Sequence, residues 1–309
     1  MKKIEGIIPV MLTPFTDDNK VDYQGLATLI DWYIDNGADA LFAVCQSSEM
    51  LFLSLEERIA ISTFVVKHTA GRIPVISSGH VSVTIDDQIE ELTLMASTGI
   101  DALVLVSNRL DPENKGSHVF LENLNRLMDS LPKNMPLGLY ECPVPYRRLL
   151  SDQEIQYCAD SGRFVVLKDV SCDLETVKRR VNLVKGSPFS IVNANAAIAY
   201  EAMQFGSKGF SGVFTNFHPD LYNWLYHRSS AHSEYAKQLS YFLSLSAVTE
   251  TLGYPKNAKI FHQRMGTFSS IHSRVSNEDI LEKYWGLSVI LDQISKSSES
   301  HRNIIKKLG

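Results

Sequence analysis

The sequence of 309 residues is 44% apolar and 21% charged, with a formal net charge of −5. That length allows one large domain or two ordinary ones, with an ample core. No basic cluster predicts a nucleic-acid partner, and no apolar run approaches the roughly 18 residues of a membrane span. The four cysteines form no C-x-x-C pair, so a reduced, cytoplasmic protein is expected.

Short apolar runs alternate with longer amphipathic segments along most of the chain. The runs are apolar throughout rather than alternating, which predicts parallel strands covered on both faces. The predicted strands are Ile7–Met11, Ala40–Val44, Ile73–Ser77, Ala102–Val106, Leu137–Tyr140, Phe164–Lys168, Ser190–Asn193 and Gly209–Phe214.

The segments between these runs carry helix signals. Apolar residues from Leu26 to Tyr33 share a face at helical spacing, and Gly37 is placed to end that helix. The S-x-x-E patterns that begin at Ser54 and Ser151 are capping boxes, each opening a helix after a loop.

A short sequence motif occurs twice, as GADAL at 37–41 and GIDAL at 99–103, and each copy is predicted to join a helix to a strand. Eight such strand–helix units predict a (β/α)8 TIM barrel. The main alternative is a doubly wound open sheet, which usually carries a G-x-G-x-x-G motif after its first strand. Here the first predicted strand leads into Met11–Phe15, which lacks that motif, so the barrel is favoured. Because the strands end near residue 230, we expect a barrel with the active site at 1–229 and a helical C-terminal extension at 230–309.

Lys168 stands out because functional residues of such barrels lie at the C-terminal ends of the strands. It is the only lysine at a predicted strand end, and it follows the apolar run Phe164–Leu167. On the inward face its amine would be partly desolvated, which lowers its pKa and makes it a nucleophile for carbonyl carbon. The alternative is a strand-end lysine whose ammonium reaches solvent or pairs with Asp169.

Three more residues near the predicted mouth have suitable chemistry. Tyr140 ends the preceding strand, and a phenol can relay protons during imine formation and carbon–carbon cleavage. Ser47 and Ser48 offer hydroxyl and N–H groups at the start of a helix, where a carboxylate can bind. The alternative is that they are ordinary loop and cap serines.

Metal chemistry is not predicted at this mouth. Cys45, His80 and Cys142 all fall near it, but no H-x-H or H-E-x-x-H spacing supports a metal site. No cofactor is therefore expected.

The sequence resembles the dihydrodipicolinate synthase/N-acetylneuraminate lyase family of class I aldolases, from Gly6 to about Gly266. Four segments carry the likeness: Gly6–Phe15, Tyr140–Pro143 where the family has Y-N-x-P, Leu167–Asp169 where it has I-K-D/E, and Tyr254–Lys259 where it has N-P-x-P-x-K.

The resemblance implies a (β/α)8 barrel with a helical tail, assembled as a homo-oligomer, a dimer or more usually a homotetramer. It implies that Lys168 forms a Schiff base with the 2-oxo group of pyruvate or a related acid, and that Tyr140 shuttles protons. The expected partner is thus a small 2-oxo acid, and not nucleic acid or a membrane. The candidate substrate-binding residues are Gln46, Ser47, Ser48, Asn193 and Ser211.

The sequence departs from the family in three places. Gln46 replaces the first hydroxyl of the family's G-[ST]-T-G-E loop, Asn108–Leu110 lacks a tyrosine of the lysine-pathway synthases, and Pro145 stands where those synthases have an arginine. These departures favour an aldolase or dehydratase acting on a 2-keto-3-deoxy acid over dihydrodipicolinate synthase itself. A barrel that has lost turnover and serves as a 2-oxo acid binding or regulatory protein is the alternative from another class.

Overall fold

A computed structural model describes residues 2–308. Eight parallel strands follow one another in the order β1-β8-β7-β6-β5-β4-β3-β2, and a bridge between Val10 and Phe42 joins the two ends of the sheet. The strands are β1 (Gly6–Ile7), β2 (Leu41–Ala43), β3 (Val75–Ser77), β4 (Ala102–Val106), β5 (Leu137–Tyr140), β6 (Phe164–Asp169), β7 (Ser190–Asn193) and β8 (Gly209–Phe210). The sheet therefore closes into the predicted (β/α)8 barrel.

Helices cover the outside of the barrel and continue beyond it. Those of the barrel are α1 (Tyr23–Asp35), α2 (Leu55–Thr69), α3 (Ile85–Ala96), α4 (Ser107–Leu110), α5 (Ser117–Ser130), α6 (Asp152–Asp160), α7 (Leu174–Leu183), α8 (Ala199–Phe205) and α9 (Pro219–Arg228). Those that follow are α10 (Ser233–Ala247), α11 (Lys256–Arg264), α12 (Ile280–Lys283) and α13 (Leu287–Leu308).

The predicted strands occur where the sequence places them, but β1, β2, β3 and β8 are shorter than predicted, β1 and β8 most of all. The ladder of β1 ends before Pro9, which has no N–H to donate. After β8 the chain bends into a 3₁₀ turn over Val213–Asn216. A side chain at Gly212 would collide with the ring of Phe210 and the carbonyl of Ala194, so glycine permits this bend.

The helix signals are confirmed. The apolar face of α1 is buried, and Gly37 follows the helix with a φ of +81°. Ser54 and Ser151 each form a capping box with the glutamate three residues later. These local signals position each helix against its neighbouring strands.

The repeated motif, GADAL at 37–41 and GIDAL at 99–103, has the same structural role in both places. Asp39 accepts a hydrogen bond from the backbone N–H of Ile7 at 2.7 Å, and Asp101 accepts one from that of Val75 at 2.9 Å. In each case the aspartate that precedes a strand ties it to the previous strand. The repeated sequence thus marks a repeated connection between adjacent strands.

The extension is helical, as the sequence predicts, and its breaks fall near Gly253–Pro255 and Gly266. No helix within residues 2–308 combines the length and the apolarity that a membrane crossing requires. The segment between α10 and α11 reaches over the C-terminal ends of the strands, and this position brings it into the site described next.

Candidate active site

Lys168 lies at the C-terminal end of β6, in a strand buried along its whole length. Its side chain is 8% exposed, and its Nζ lies 4.4 Å from the centre of the Tyr140 ring. Burial lowers the pKa of Lys168, while the nearby Cys45, Cys142 and Glu250 work in the opposite direction. The amine is therefore more readily available as a neutral nucleophile than that of an ordinary surface lysine.

Asp169 is directed away from Lys168 and does not pair with it. Its carboxylate accepts hydrogen bonds from the N–H and hydroxyl of Ser171, at 2.9 Å and 2.6 Å, and forms a buried ion pair with Arg180. Arg180 also binds Glu141, 2.7 Å away. This cluster lies behind the ends of β5 and β6 and leaves Lys168 facing the barrel mouth.

Tyr140 is paired with Lys168 in the register of β5 and β6. Its hydroxyl donates a hydrogen bond to the Oε1 of Gln46 at 3.1 Å, and the Cys142 thiol donates to the same oxygen at 3.4 Å. Burial raises the pKa of Tyr140 well above its usual value. The phenol is therefore protonated and can serve as a proton donor beside the amine.

A cavity of about 590 Å³ opens above these residues. Lys168, Tyr140, Gln46 and Ser47 all line it. A volume of this order suits a small-molecule ligand. The structure therefore brings together four residues that the sequence analysis named.

Ser47 lies next to Tyr254, a residue of the C-terminal extension. Both residues line the cavity, and the Tyr254 hydroxyl accepts a hydrogen bond from Asn216 at 3.0 Å. Gln46 and Ser47 begin a 3₁₀ turn, so their backbone N–H groups have no hydrogen-bond partner within the turn. This loop therefore presents hydroxyl and amide donors at one side of the cavity.

The other three predicted binding residues lie outside the lining of the cavity. The Ser48 hydroxyl donates to the carbonyl of Met11 at 2.6 Å, and that of Ser211 donates to the carbonyl of Ile8 at 2.8 Å. Asn193 is bonded to the backbone of Asn195 through both ends of its amide. Their side chains hold the loops around the site in place.

The sequence analysis missed Glu250 and Tyr254, both of which line the cavity from the extension. Burial raises the pKa of the Glu250 carboxyl, and Lys168 opposes that shift. The only signal available for this region was the likeness of Tyr254–Lys259 to a family motif, and no role was attached to it. Sequence alone did not indicate that the extension would fold back onto the barrel mouth.

Among residues 2–308 no group of three or more His, Cys, Asp or Glu side chains is placed to hold a metal ion. His80 is buried, accepts a hydrogen bond from the Val106 N–H at 2.9 Å and contacts Gln88 through its other ring nitrogen. Burial lowers the pKa of His80 to about 4, so the ring is neutral near pH 7. Its hydrogen bonds are those of a structural histidine.

Comparison with known proteins finds a family model and similar enzymes. Residues 3–274 match the model of the dihydrodipicolinate synthetase family. The 4-hydroxy-tetrahydrodipicolinate synthase of Bacillus subtilis is 30% identical over 214 residues, which cover 67% of this chain and 70% of that protein. The enzyme of the same name from Shewanella baltica is 26% identical over 93% of this chain and 96% of its own length.

Solved structures share the fold over nearly the whole chain. A dihydrodipicolinate synthase from Bacillus anthracis superposes with a TM-score of 0.84 at 21% identity, over 94% of this chain and 99% of that one. CdNal from Clostridium difficile, solved in complex with mannosamine, has a TM-score of 0.84 at 16% identity, over 96% of this chain and 100% of its own. The sequence match to the family model covers most of the chain, and the fold agrees with it. The chain therefore belongs to the dihydrodipicolinate synthetase family.

Proposed function

We propose that the protein is a Schiff-base (class I) lyase that acts on pyruvate or a 2-keto-3-deoxy acid through an imine on Lys168. The reaction would be aldol cleavage or condensation, or dehydration. The observation that carries the proposal is the buried amine of Lys168 beside the Tyr140 phenol, at the mouth of a barrel of this family. Family membership supports the enzyme class predicted from the sequence.

The proposed chemistry starts with attack of the neutral Lys168 amine on the 2-oxo carbon, followed by loss of the carbonyl oxygen as water. The resulting iminium nitrogen accepts electrons from the adjacent carbon, so that a bond at C3 can form or break. In condensation, the iminium first loses a proton from C3 to give the enamine. C3 of the enamine then attacks the aldehyde carbon, and the aldehyde oxygen takes up a proton. Tyr140 is the group that we propose supplies this proton and recovers it in cleavage.

The substrate carboxylate would bind to the loop that carries Gln46 and Ser47. Tyr140 and Cys142 both donate to the carbonyl oxygen of the Gln46 amide, which leaves the NH₂ end without a partner among residues 2–308. That NH₂ group, the Ser47 hydroxyl and the first N–H groups of the turn are neutral donors suited to a carboxylate. We propose that Ser48, Asn193 and Ser211 support this site indirectly.

Two alternatives remain distinct from this proposal. Dihydrodipicolinate synthase activity is suggested by the names of the relatives, but Pro145 stands where those synthases have an arginine. The nearby Arg147 is exposed and donates a hydrogen bond to the carbonyl of Val170 at 3.2 Å. A protein that binds 2-oxo acids without turnover would also keep Lys168, and the altered loop at Gln46 is what favours it. We also propose a cytoplasmic location and a homo-oligomeric assembly, by analogy with the family.

The proposal is tested by adding pyruvate and borohydride and measuring the mass of the intact protein. Borohydride reduces the imine to a stable amine, so we expect one covalent adduct, mapped to Lys168 by peptide analysis. Lys168→Ala should abolish the adduct while the circular dichroism spectrum stays that of a folded protein. Release of pyruvate from a panel of 2-keto-3-deoxy acids then separates an enzyme from a binding protein.

Lys208→Ala is the matched control, because Lys208 is an exposed lysine that precedes β8. This variant should form the adduct as the unaltered protein does. An adduct that persists in Lys168→Ala, or that maps to Lys208, would show that the assignment of the nucleophile is wrong.

A further inference from the structure

The charged side chains that line the cavity are few. Among the described residues they are Glu49, Lys168 and Glu250. Glu49 is fully buried and paired with Lys259, so its charge is already compensated by the protein. Lys168 and Glu250 are therefore the two charges that a ligand meets, and no arginine is present in the lining that the structure describes.

Glu250 has no partner of its own within residues 2–308. No lysine, arginine or histidine nitrogen lies within the 4.0 Å of an ion pair, and its side chain makes no hydrogen bond to the protein. The residue lines the cavity and belongs to the turn between α10 and α11. A carboxylate held at the entrance without a partner is free to interact with the ligand, favourably or unfavourably.

The rest of the outer cavity is largely apolar. Its lining comes from three segments: the loop after β2, the segment after β5 and the C-terminal extension. The apolar side chains concerned are those of Leu51, Phe52, Val144, Ala247, Val248 and Val275. Apolar walls favour an apolar ligand body and offer nothing to replace the hydration of a charged one.

We propose that the substrate beyond its 2-oxo acid carries no negative charge and has an apolar body, and that Glu250 determines this specificity. In the direction of condensation this part is the aldehyde. Glu250 accepts a hydrogen bond from a hydroxyl or amine of the substrate and repels a second carboxylate. The inference rests on the proposed function, because it assumes that the 2-oxo acid is bound at Lys168.

The reason lies in the disposition of charge once the imine has formed. The positive charge of the iminium nitrogen faces the carboxylate of the 2-oxo acid itself, so no cation remains for a second carboxylate. Such a group would lose its hydration in an apolar cavity and face the like charge of Glu250. Specificity of this kind comes from repulsion of the wrong ligand as much as from attraction of the right one.

The test compares two 2-oxo acids of similar length at pH 8, 2-oxohexanoate with an apolar tail and 2-oxoglutarate with a terminal carboxylate. The readout is the concentration of each acid that gives half-maximal borohydride-trapped adduct at Lys168, divided by the corresponding concentration of pyruvate. This measurement does not require turnover. We expect 2-oxohexanoate to be trapped at concentrations about tenfold or more below those of 2-oxoglutarate. Glu250→Gln keeps the shape and removes the charge, and it should narrow the difference to about threefold by improving 2-oxoglutarate.

Glu234→Gln is the control for net charge, since Glu234 is an exposed residue of α10 outside the cavity lining. It should leave the difference between the two acids as it is. Equal or better trapping of 2-oxoglutarate by the unaltered protein, or a difference that Glu250→Gln does not change, would overturn the inference. Failure to trap pyruvate at all would instead refute the proposed function on which the inference rests.

Discussion

At the scale of single residues, the reactivity of Lys168 depends on its burial and on the absence of an ion pair with the neighbouring Asp169. The neighbouring carboxylate of Asp169 is bound to Arg180 and Ser171 on the far side of the strand. An adjacent carboxylate would have stabilised the ammonium and raised the pKa of Lys168. Because Asp169 gives no such stabilisation, burial outweighs the opposing effects of Cys45, Cys142 and Glu250, and the lowered pKa makes the amine nucleophilic.

Tyr140→Phe tests the proton shuttle. The change removes the hydroxyl that donates to Gln46 but leaves the ring beside Lys168. We expect pyruvate trapping to persist and kcat for pyruvate release from the best 2-keto-3-deoxy acid to fall by roughly 10²–10⁴, the usual contribution of acid–base catalysis. Tyr222→Phe is the control, because that buried tyrosine of α9 lies outside the cavity lining. A kcat unchanged by Tyr140→Phe would exclude Tyr140 from the mechanism.

At the scale of elements, a buried ion pair connects the loop after β2 to the extension. Glu49 has a φ of +61° and accepts hydrogen bonds from Lys259 and from the N–H groups of Arg274 and Val275. Burial lowers the pKa of Lys259 to about 8, a shift that its pairing with Glu49 opposes. The pair holds the Gln46–Ser48 turn, and hence the proposed carboxylate site, against the extension.

Lys259→Met tests this connection. Removal of the cation leaves the Glu49 carboxylate buried without a counter-charge, which typically costs about 3–5 kcal/mol. We expect a loss of this size in the free energy of unfolding measured with urea. The double variant Glu49→Gln/Lys259→Met should be more stable than the single one, because it removes the unpaired charge as well.

The surface pair of Lys283 and Glu278 offers a matched control, since both side chains are about half exposed. Lys283→Met should cost no more than about 1 kcal/mol, as is usual for exposed ion pairs. If Lys259→Met proved equally mild, the Glu49–Lys259 pair would not hold the loop to the extension.

At the scale of the whole molecule, three buried histidines make stability depend on acidity. Burial lowers the pKa of His80 to about 4 and those of His218 and His262 to about 3. The unfolded chain, with histidine pKa values near 6.5, therefore binds more protons below that pH than the folded protein does. The free energy of unfolding must fall as the pH drops below 6.5 toward the folded-state values.

We expect each histidine to contribute about 2 kcal/mol to this loss between pH 7 and pH 5. The measurement is the free energy of unfolding in urea at the two pH values. His218→Phe removes one of the three groups, so the loss in this variant should be smaller by about that amount. An equal loss in both proteins would mean that His218 is not kept neutral by burial.

Much of the fold could be predicted because its signals are local. Apolar runs of strand length, the capping boxes at Ser54 and Ser151, and the repeated GADAL and GIDAL phrases each depend on neighbours in sequence. Strands β1 and β8 were predicted too long, because the length of a ladder depends on its distant partner and these two strands pair over only two residues each, Gly6–Ile7 with Gly209–Phe210.

The site divides in the same way. Lys168 and Tyr140 could be identified from sequence because strand ends in a parallel barrel converge on one mouth, so position along the strand determines position in space. Glu250 and Tyr254 could not, since no local pattern states where a helical extension will pack. Only the tertiary structure decided that these residues line the cavity and that Glu49 is compensated by Lys259. Both depend on contacts between segments far apart in the chain, because Glu49 and Lys259 are 210 residues apart and the extension must fold back onto the barrel mouth before either contact exists.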